Sequence, residues 1–327
     1  MTVLLDVRDL KTHFMTRDGV ARAVDGVSFT LNRGEILGLV GESGSGKSVT
    51  GFSLLGLVDP PGRVVGGQVL FNGDDLARMD EKRLQGLRGK RIAMIFQDPM
   101  MTLNPVLRID TQMVETVLAH DKVSRAEAME RARAALVQVG ISAPEERLRS
   151  YPHQFSGGMR QRVAIAIALL HKPDLIIADE PTTALDVTIQ AQILAEVQKL
   201  CRETGTALIW ITHDLAVVSG LADRLVVMYA GRIVEEGETS EVITRPVHPY
   251  TRGLIDSVPH GKPHRSELRQ ISGMTPSLMN LPEGCRFRPR CPRADAACLA
   301  EPALREAGAG RKVRCFHPHL ELEGLIP

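Results

Sequence analysis

The segment Gly41-Glu42-Ser43-Gly44-Ser45-Gly46-Lys47-Ser48 decides the fold of this 327-residue chain. It fits the pattern G-x-x-x-x-G-K-[ST], follows the apolar run 35–40 and precedes a helical run over 48–57. A strand, a glycine-rich loop and a helix in this order turn successive backbone N–H groups and a helix N-terminus toward one point. The sequence therefore predicts a phosphate-binding loop, and a glycine-rich turn that binds no ligand is the alternative.

Each residue of the predicted loop has a chemistry that suits a nucleotide. Lys47 is expected to neutralise the β- and γ-phosphates, and the Ser48 hydroxyl is expected to ligate Mg2+. The other nucleotide contacts are predicted at Gly41, Ser43, Gly44, Ser45, Gly46 and Val49. A nucleotide with bound Mg2+ is therefore the expected ligand.

A second apolar run, residues 175–178, delivers Asp179 and Glu180 at its end. The carboxyl ends of strands in an α/β sheet are where ligands bind. Asp179 can hold Mg2+ directly or through water, which leaves Glu180 to polarise a water for attack on the γ-phosphate. Alone, the pair is as typical of a helix N-cap, and its combination with the phosphate loop favours catalysis.

Short apolar runs alternate with amphipathic stretches over the first 250 residues. Strands are predicted at 4–10, 23–31, 35–40, 92–96, 175–178, 207–211, 224–229 and 231–237. Between residues 124 and 139, apolar side chains recur at the spacing of one helix face. Strands separated by helices indicate a largely parallel sheet covered on both faces, and the first two strands indicate a half-buried antiparallel pair.

The composition is that of an ordinary folded protein, with 43% hydrophobic and 24% charged residues and a formal net charge of +1. These values exclude disordered and fibrous chains, and the charge balance argues against a nucleic-acid binder. No apolar run reaches the roughly 18 residues of a membrane-spanning helix, and the N-terminus lacks the pattern of a secretory signal. We expect a cytoplasmic chain whose membrane role, if any, is peripheral.

The segment F-S-G-G-M-R-Q-R, residues 155–162, resembles the signature motif of the ATP-binding cassette family. Phe155 and Met159 depart from the Leu and Gln of the usual form, while Ser156, Gly157 and Gly158, the phosphate-contacting part, are intact. Ser-Gly-Gly at the start of a helix makes a second phosphate site from backbone N–H groups and the helix dipole. The resemblance implies two subunits joined head to tail, with each ATP between one phosphate loop and the other subunit's signature.

Other motifs that resemble those of the family follow in order. Gln97 resembles the glutamine that touches the metal or the attacking water, Asp186 the D-loop aspartate that communicates across the dimer, and His213 the switch histidine that contacts the γ-phosphate. A lone histidine at a strand end is more often structural, and the ordered series reverses that weighting. Phe14 is the nearest candidate for an adenine-stacking aromatic, for which a core phenylalanine is an equal alternative.

The resemblance implies an α/β fold: an ABC-type nucleotide-binding domain with a RecA-like phosphate-loop core, an antiparallel β subdomain and a helical subdomain at about 98–164. The expected domains are 1–250, which binds ATP, and 251–327, a small irregular C-terminal extension. Residues 97–105 (Q-D-P-M-M-T-L-N-P) and 245–251 (R-P-V-H-P-Y-T) resemble a narrower group, the ATP-binding subunits of oligopeptide and dipeptide permeases. That group implies ATP-driven peptide import at the cytoplasmic face of the bacterial inner membrane, with nickel or glutathione as alternative solutes.

The same group implies a set of partners. These are a second, homologous ATPase subunit, two transmembrane permease subunits and a periplasmic or lipid-anchored binding protein, with no nucleic acid. One rival interpretation is a non-transport cassette ATPase in DNA repair or translation, which predicts a coiled-coil insertion or tandem cassettes that this sequence lacks. The other is a small-molecule kinase that uses the phosphate loop alone.

Four of the five cysteines, Cys285, Cys291, Cys298 and Cys315, lie in the proline-broken extension. Small domains of this kind usually need a staple, which in a reducing compartment is usually a metal. The paired C-x2-C knuckles of zinc sites are missing, and four widely spaced thiolates suit a [4Fe-4S] cluster at least as well. Resemblance to permease subunits that carry such a cluster favours iron and sulfur, while zinc, or free thiols or a disulfide pair, are the alternatives.

Two other features of the extension bear on this expectation. His317 and His319 follow Cys315 closely and are alternative ligands, whereas Cys201, on a helical stretch of the cassette, is not expected to ligate a metal. Residues 251–327 also carry twelve Lys and Arg against eight Asp and Glu. A solvated basic surface is the expected use of this excess, and a polyanion site is the alternative.

Overall fold

The computed structural model describes residues 2–182, 187–257, 270–308 and 310–319. The strands in these ranges are β1 (Val3–Thr16), β2 (Gly19–Asn32), β3 (Ile36–Val40), β4 (Gly62–Phe71), β5 (Asp74–Asp75), β6 (Ile92–Ile95), β7 (Leu175–Asp179), β8 (Ala207–Thr212), β9 (Arg224–Tyr229), β10 (Arg232–Glu238), β11 (Arg305–Glu306) and β12 (Lys312–Val313). The α-helices are α1 (Lys47–Leu55), α2 (Glu81–Leu87), α3 (Ile109–His120), α4 (Arg125–Gln138), α5 (Pro144–Leu148), α6 (Gly157–Leu169), α7 (Val187–Thr204), α8 (Leu215–Ser219), α9 (Thr239–Thr244) and α10 (Pro249–Asp256).

The chain forms two compact units. The first comprises residues 1–2, 32–35 and 78–210, and the second comprises 3–31, 36–77 and 211–327. None of the described helices combines the length and the low polarity needed to cross a bilayer.

The first unit holds α2 to α7 around short buried strands. β6 runs parallel to β7, with Ile92 opposite Leu175 and Ile95 opposite Ala178. Every residue of β7 is buried, as expected for a strand covered on both faces. In α4, the buried side chains recur at helical spacing, and the Ser124 hydroxyl caps the helix by accepting the Glu127 N–H. The predicted parallel strands and helix face are confirmed.

The second unit contains two groups of strands. In one, the order is β2-β1-β4-β5, and β1 pairs antiparallel with β4. In the other, β3 runs parallel to β9, which pairs antiparallel with β10. The predicted strands at 4–10 and 23–31 lie within β1 and β2, whereas the sequence did not predict β4. In β4, Gly66 and Gly67 separate the valines from one another, so the alternation of hydrophobic and polar residues that marks a strand is weak there.

After residue 245 the chain consists of short pieces, as its prolines predict. They are α10, two 3-10 turns (Arg288–Arg290 and Ala296–Leu299) and the two-residue strands β11 and β12. β12 pairs antiparallel with β10, with Glu235 opposite Val313. This pairing places the extension in the same compact unit as β1 to β5.

Two of the twelve basic residues of the extension, Arg290 and Arg311, are buried, whereas Arg252, Arg293 and Arg305 are exposed as the sequence predicted. Arg311 is 1% exposed, and its guanidinium lies 3.4 Å from the Glu235 carboxylate. That carboxylate also accepts the backbone N–H groups of Val247 and His248, at 3.0 and 2.8 Å. A segment with few apolar side chains thus packs through buried ion pairs, whose charges are compensated by these hydrogen bonds.

Candidate functional site

The phosphate loop connects β3 to α1, as predicted, and two of its glycines are required by close backbone contacts. Gly41 has a φ of 155°, and a Cβ there would lie 2.3 Å from the Met228 carbonyl oxygen. Gly46 has a φ of 101°, and a Cβ there would lie 2.2 Å from the Ala23 carbonyl oxygen. A side chain at either position would be both strained and sterically blocked, so the curl of the loop depends on glycine.

The donors of this loop suit a phosphate group. Lys47 is 5% exposed, and its Nζ donates to the Gly41 and Glu42 carbonyls at 2.8 and 3.1 Å. Ser45 is fully buried, and its Oγ has no hydrogen-bond partner among the described residues. α1 begins with Gly46 at its N-cap, receives no side-chain cap and has no acidic residue in its first turn. An anion at this helix end would satisfy the open N–H groups and the dipole.

The remaining loop residues differ in exposure. Ser43 and Gly44 are exposed, while Ser48, the predicted Mg2+ ligand, and Val49 are half-buried in the first turn of α1. A Cβ at Gly44 would meet no described atom within 4 Å, so space is open beside the loop at this position. The loop therefore presents its exposed residues to solvent and anchors its ends in packed structure.

The catalytic candidates of the first unit meet at the ends of two strands. Asp179, the last residue of β7, is 3% exposed, and Glu180 follows it with a φ of 44°. Gln97, just past β6, is exposed, and its Nε2 donates to Glu180 Oε2 at 3.3 Å. Parallel neighbouring strands bring these ends together. The left-handed backbone of Glu180 is rare for a residue with a side chain and is typical of positions whose orientation matters.

The Ser-Gly-Gly segment opens α6, as predicted. Ser156 is the N-cap, and its Oγ accepts the Met159 N–H at 3.3 Å. Ser156 and Gly157 are exposed, whereas the preceding Phe155 is 4% exposed and anchors the turn. A helix N-terminus on the surface, preceded by a buried anchor, offers backbone N–H groups that a phosphate outside the chain can reach.

Of the three other predicted nucleotide residues, two lie within the described residues. His213 is exposed directly after β8. Phe14 lies on β1 opposite Gly62, and a Cβ on that glycine would lie 2.6 Å from the Phe14 ring, so the ring packs over Gly62. Asp186 lies outside the described residues. The nucleotide contacts of these three residues stay predictions.

The four cysteines of the extension are free thiols, two of them buried and two half-buried. The Cys285 N–H donates to the Cys298 carbonyl at 3.0 Å. Burial raises the pKa of the Cys315 thiol to about 11, and the neighbouring thiols of the other three cysteines add to the rise. Backbone N–H groups donate to two of the sulfurs, at 3.4 Å to Cys291 and 3.3 Å to Cys315. Such N–H···S bonds suit sulfur atoms that bind a metal.

Among the described residues, a group of side chains close enough to hold a metal ion includes one of these cysteines. Asp295, Cys298 and His317 each offer a ligand atom within 4.8 Å of the others. His317 Nε2 lies 2.8 Å from Asp295 Oδ1, while the ring of His319 contacts Arg293. Cys201 is buried on α7, away from the extension's sequence. The extension thus offers sulfur ligands together with one nearby carboxylate and one imidazole.

The surroundings of Glu42, in the phosphate loop, were not predicted. Arg290 of the extension forms two hydrogen bonds with the Glu42 carboxylate, at 2.6 and 3.0 Å. The Glu42 backbone N–H donates to Tyr250 Oη at 2.8 Å. Burial by itself raises the pKa of the Glu42 carboxyl, but hydrogen bonds from Arg290 and Thr275 outweigh it and hold the pKa below its usual value. The arginine-rich stretch between Cys285 and Cys291 was the signal available in the sequence.

Comparison with known proteins identifies the family. The chain is 50% identical over 320 residues to the oligopeptide transport ATP-binding protein OppD of Salmonella typhimurium, which covers 98% of this chain and 95% of that protein. The chain belongs to the ATP-binding proteins of ABC transporters. The ABC transporter family matches residues 24–183, and the family described as the C-terminal region of oligopeptide/dipeptide transporters matches residues 234–298.

Two further relatives agree with membership in this ABC family. The dipeptide transport ATP-binding protein DppD of Bacillus subtilis is 50% identical over 299 residues, which cover 91% of this chain and 89% of that protein. A solved ATP-binding cassette, MJ0796 in a dimeric post-hydrolysis state bound to ADP and Pi, superposes with a TM-score of 0.67 at 26% identity. It covers 72% of this chain and 99% of that one. The chain is an ABC-type ATPase, and the resemblance read from its motifs is confirmed.

Proposed function

We propose that this chain is the ATP-hydrolysing subunit of a binding-protein-dependent ABC importer that takes up dipeptides, oligopeptides or related solutes. The observation that carries the proposal is similarity along 98% of the chain to an oligopeptide transport ATP-binding protein, extension included. The phosphate loop and the exposed Ser-Gly-Gly turn on one chain supply both halves of the nucleotide site that such a subunit needs. Residues 1–250 carry the ATP chemistry, and 251–327 form the extension.

The residues divide the ATP chemistry among them. Lys47 and the N–H groups of the phosphate loop hold the β- and γ-phosphates, and Ser48, Gln97 and Asp179 hold Mg2+. Glu180 accepts a proton from water as the water oxygen attacks the γ-phosphorus in line. The bond from that phosphorus to the β–γ bridging oxygen breaks, and ADP and phosphate result. The 3.3 Å contact between Gln97 and Glu180 supports a joint role at the water.

Three further roles complete the proposed nucleotide site. His213 contacts the γ-phosphate, Asp186 communicates across the dimer, and Phe14 stacks on adenine. The exposure of His213 after β8 suits a residue that must reach a ligand. For Phe14 the packing over Gly62 leaves a core role as the competing explanation.

The partners follow from the exposed signature. Ser156, Gly157 and Gly158 are proposed to bind ATP held by the phosphate loop of a second, homologous ATPase subunit, arranged head to tail. The dimeric state of the related cassette MJ0796 supports pairing. Two transmembrane permease subunits and a periplasmic or lipid-anchored binding protein complete the importer, so that this chain works at the cytoplasmic face of the inner membrane without nucleic acid.

The four thiols of the extension are proposed to hold a [4Fe-4S] cluster with a structural role. Their proximity, and N–H···S bonds to Cys291 and Cys315, support sulfur ligation. Partial or full burial raises the pKa values of Cys285, Cys291 and Cys315, so without a metal these three thiols would stay protonated. The cluster would supply the staple that this proline-broken segment lacks.

Reconstitution tests the transport function. The chain, its partner ATPase and the two permeases in lipid vesicles should hydrolyse ATP faster when a peptide-loaded binding protein is added. Competition by nickel or glutathione in place of peptide identifies the solute class. Equal stimulation by an unloaded binding protein, or hydrolysis that needs no partner subunit, would contradict the importer.

Anaerobic purification tests the cluster. We expect a brown protein with four iron and four sulfide per chain, by the stoichiometry of the cluster. Cys291→Ser should lower both contents and the melting temperature, whereas the matched Cys201→Ser variant should keep the iron and sulfide. Bound zinc, or no metal in either protein, would contradict iron–sulfur ligation.

A further inference from the structure

The loop between the first two cysteines of the extension is the part that reaches the phosphate loop. In the stretch from Cys285 to Cys291, three side chains contact other parts of the second unit: Arg286, Phe287 and Arg290. Arg286 donates to the Ala230 carbonyl at 2.5 Å and to the Asp25 carboxylate. Phe287 is 2% exposed. We call residues 286–290 the clamp loop.

An aromatic cluster fixes the position of the clamp loop. The Phe287 ring lies 5.2 Å from the Tyr229 ring and 5.4 Å from the Tyr250 ring, and the two tyrosine rings are 4.6 Å apart. Tyr229 and Tyr250 are fully buried. Edge-to-face aromatic contacts of this kind are stabilising and restrict side-chain orientation. The clamp loop therefore meets the phosphate loop in a defined geometry.

Arg290 makes the direct contact between the clamp loop and the phosphate loop. Its side chain is 4% exposed, and its guanidinium binds both carboxylate oxygens of Glu42, whose side chain is 28% exposed. Arg290 Nε donates to the Ser272 carbonyl at 3.0 Å, and the Thr275 hydroxyl donates to the Glu42 carboxylate at 3.0 Å. A two-pronged Arg–carboxylate pair fixes orientation as well as charge.

Tyr250 holds the backbone of Glu42 in place. Its hydroxyl accepts the Glu42 N–H at 2.8 Å. Glu42 is thus held at both its side chain and its main chain by residues from beyond position 245. The Glu42 carbonyl in turn accepts a hydrogen bond from Lys47 Nζ, at 3.1 Å. The extension is two contacts away from the ammonium group that must meet the phosphates.

We propose that the clamp loop of the extension positions the phosphate loop for ATP, with Arg290 and Tyr250 as positioning residues acting through Glu42. Arg290 also cancels a negative charge that lies beside the binding place of a polyanion. Without it, the Glu42 carboxylate competes with ATP for Lys47, and it repels the phosphates. The inference rests on the ATPase role of the phosphate loop and does not require a metal in the extension.

A double-mutant cycle in the assembled transporter tests the proposal. Arg290→Met should raise the KM for ATP, and the Kd for a fluorescent ATP analogue, about tenfold, with kcat changed less than about twofold. Glu42→Gln alone should change either constant by no more than about threefold. The double variant R290M/E42Q should recover part of the lost affinity, because the unpaired carboxylate is gone while the positioning contact stays broken. Arg290→Lys should lie between wild type and Arg290→Met.

The control is Arg8→Met, which breaks the exposed Arg8–Asp6 pair on β1 and should leave KM and Kd unchanged. Wild-type ATP affinity in folded Arg290→Met overturns the proposal, and so does a loss that Glu42→Gln fails to relieve. Should Arg290→Met not fold, Tyr250→Phe decides: an affinity about threefold weaker is expected from the lost hydrogen bond, and an unchanged affinity overturns the proposal.

Lys47→Ala separates this inference from the proposed function. Loss of ATP binding in Lys47→Ala with unchanged binding in Arg290→Met contradicts the clamp alone. Unchanged ATP binding in Lys47→Ala contradicts the proposed site itself. Iron content, measured on every variant, shows whether an effect of Arg290→Met comes from the neighbouring cysteines instead: a loss of ATP affinity only in iron-depleted protein overturns the direct contact.

Discussion

Lys47 is 5% exposed and donates to the carbonyls of its own loop, whereas Ser156 and Gly157 lie exposed at the start of α6. Both segments present a helix N-terminus suited to phosphate. The phosphate loop is anchored by Gly41 and Gly46 against neighbouring carbonyls, and by the extension through Glu42. The signature turn is anchored by the buried Phe155 and capped by the Ser156 hydroxyl.

Under the proposed head-to-tail pairing, this difference explains how one chain can carry two phosphate sites without using them on the same nucleotide. A site built into packed structure keeps its geometry whatever binds beside it. A site on an exposed turn stays open to a second molecule, so it suits ATP that another subunit would bring. Changes in the first segment should therefore impair ATP binding, and changes in the second should impair turnover after binding.

Glu180→Gln gives the largest expected effect, because it removes the proposed base without touching either helix N-terminus. Turnover by the assembled transporter should fall at least about 100-fold, while ATP binding is retained. Radiolabelled ATP trapped on the purified complex measures the second quantity. Glu203→Gln, at an exposed position on α7, is the control and should leave turnover unchanged. Near-normal hydrolysis in Glu180→Gln would remove Glu180 from its role.

Gly46→Ala and Gly157→Ala compare the two helix N-termini directly. A Cβ at Gly46 would lie 2.2 Å from a carbonyl at a φ of 101°, whereas a Cβ at Gly157 meets no described atom within 4 Å. Gly46→Ala should weaken ATP binding at least about tenfold and lower the free energy of unfolding by about 2 kcal/mol. Gly157→Ala should leave the melting temperature unchanged and lower only the turnover of the assembled pair. Equal destabilisation of the two variants would contradict the comparison.

Asp25→Asn tests how much one buried, ion-paired carboxylate stabilises the second unit. Burial raises the pKa of Asp25, but hydrogen bonds and charge from Arg232 and Arg286 outweigh it and lower the pKa to about 2. The stabilisation from this lowered pKa is present above about pH 4 and is lost as the pH falls toward 2. Allowing for solvent screening, Asp25→Asn should cost about 1–2 kcal/mol of unfolding free energy at pH 7.

Melting temperatures at pH 7 and pH 3 measure this effect. The difference in melting temperature between wild type and Asp25→Asn should shrink at pH 3. At that pH, Asp25 is largely protonated in the unfolded chain, so part of its stabilising effect is lost. Asp6→Asn, which removes the exposed pair with Arg8, is the matched control and should change the melting temperature little at either pH. A difference that grows on acidification would show that the sign is wrong.

Ser156→Ala is expected to have the smallest effect among the variants that lower stability. Loss of the hydroxyl that accepts the Met159 N–H should cost about 1 kcal/mol through α6. Ser156→Asp keeps a capping oxygen and places a negative charge where the partner's ATP would lie. The aspartate variant should therefore melt near wild type yet lose turnover by more than the alanine variant does, as measured by the ATPase rate of the assembled complex.

The local part of the fold and site was predictable from the sequence. Strand β3, the phosphate loop and α1 follow one another within about twenty residues, and the glycines that carry the pattern are the ones with forced backbone geometry. Asp179 and Glu180 were found for the same reason, since a short buried strand is visible as an apolar run. The meeting of Gln97 with Glu180 required only that β6 and β7 be parallel neighbours.

The long-range part was not predictable. The Arg290–Glu42 pair joins residues 248 positions apart, and no periodicity in the sequence records such a contact. The excess of basic residues in the extension suggested solvated charge, since burial of an arginine depends on a partner that composition does not reveal. β4 was missed because its glycines weaken the alternation, and its place is set by the register with β1.

The pairing of β12 with β10 has a consequence for the solubility of the subunit. β10 would otherwise expose a row of unpaired backbone groups, which invites another chain to add a strand. The extension pairs with β10 at Glu235 and Glu236 and ends in β11, a strand of two residues that offers little to pair with. A chain cut after residue 300 should thus form aggregates rich in intermolecular β-structure, even where its ATP-binding residues are all present.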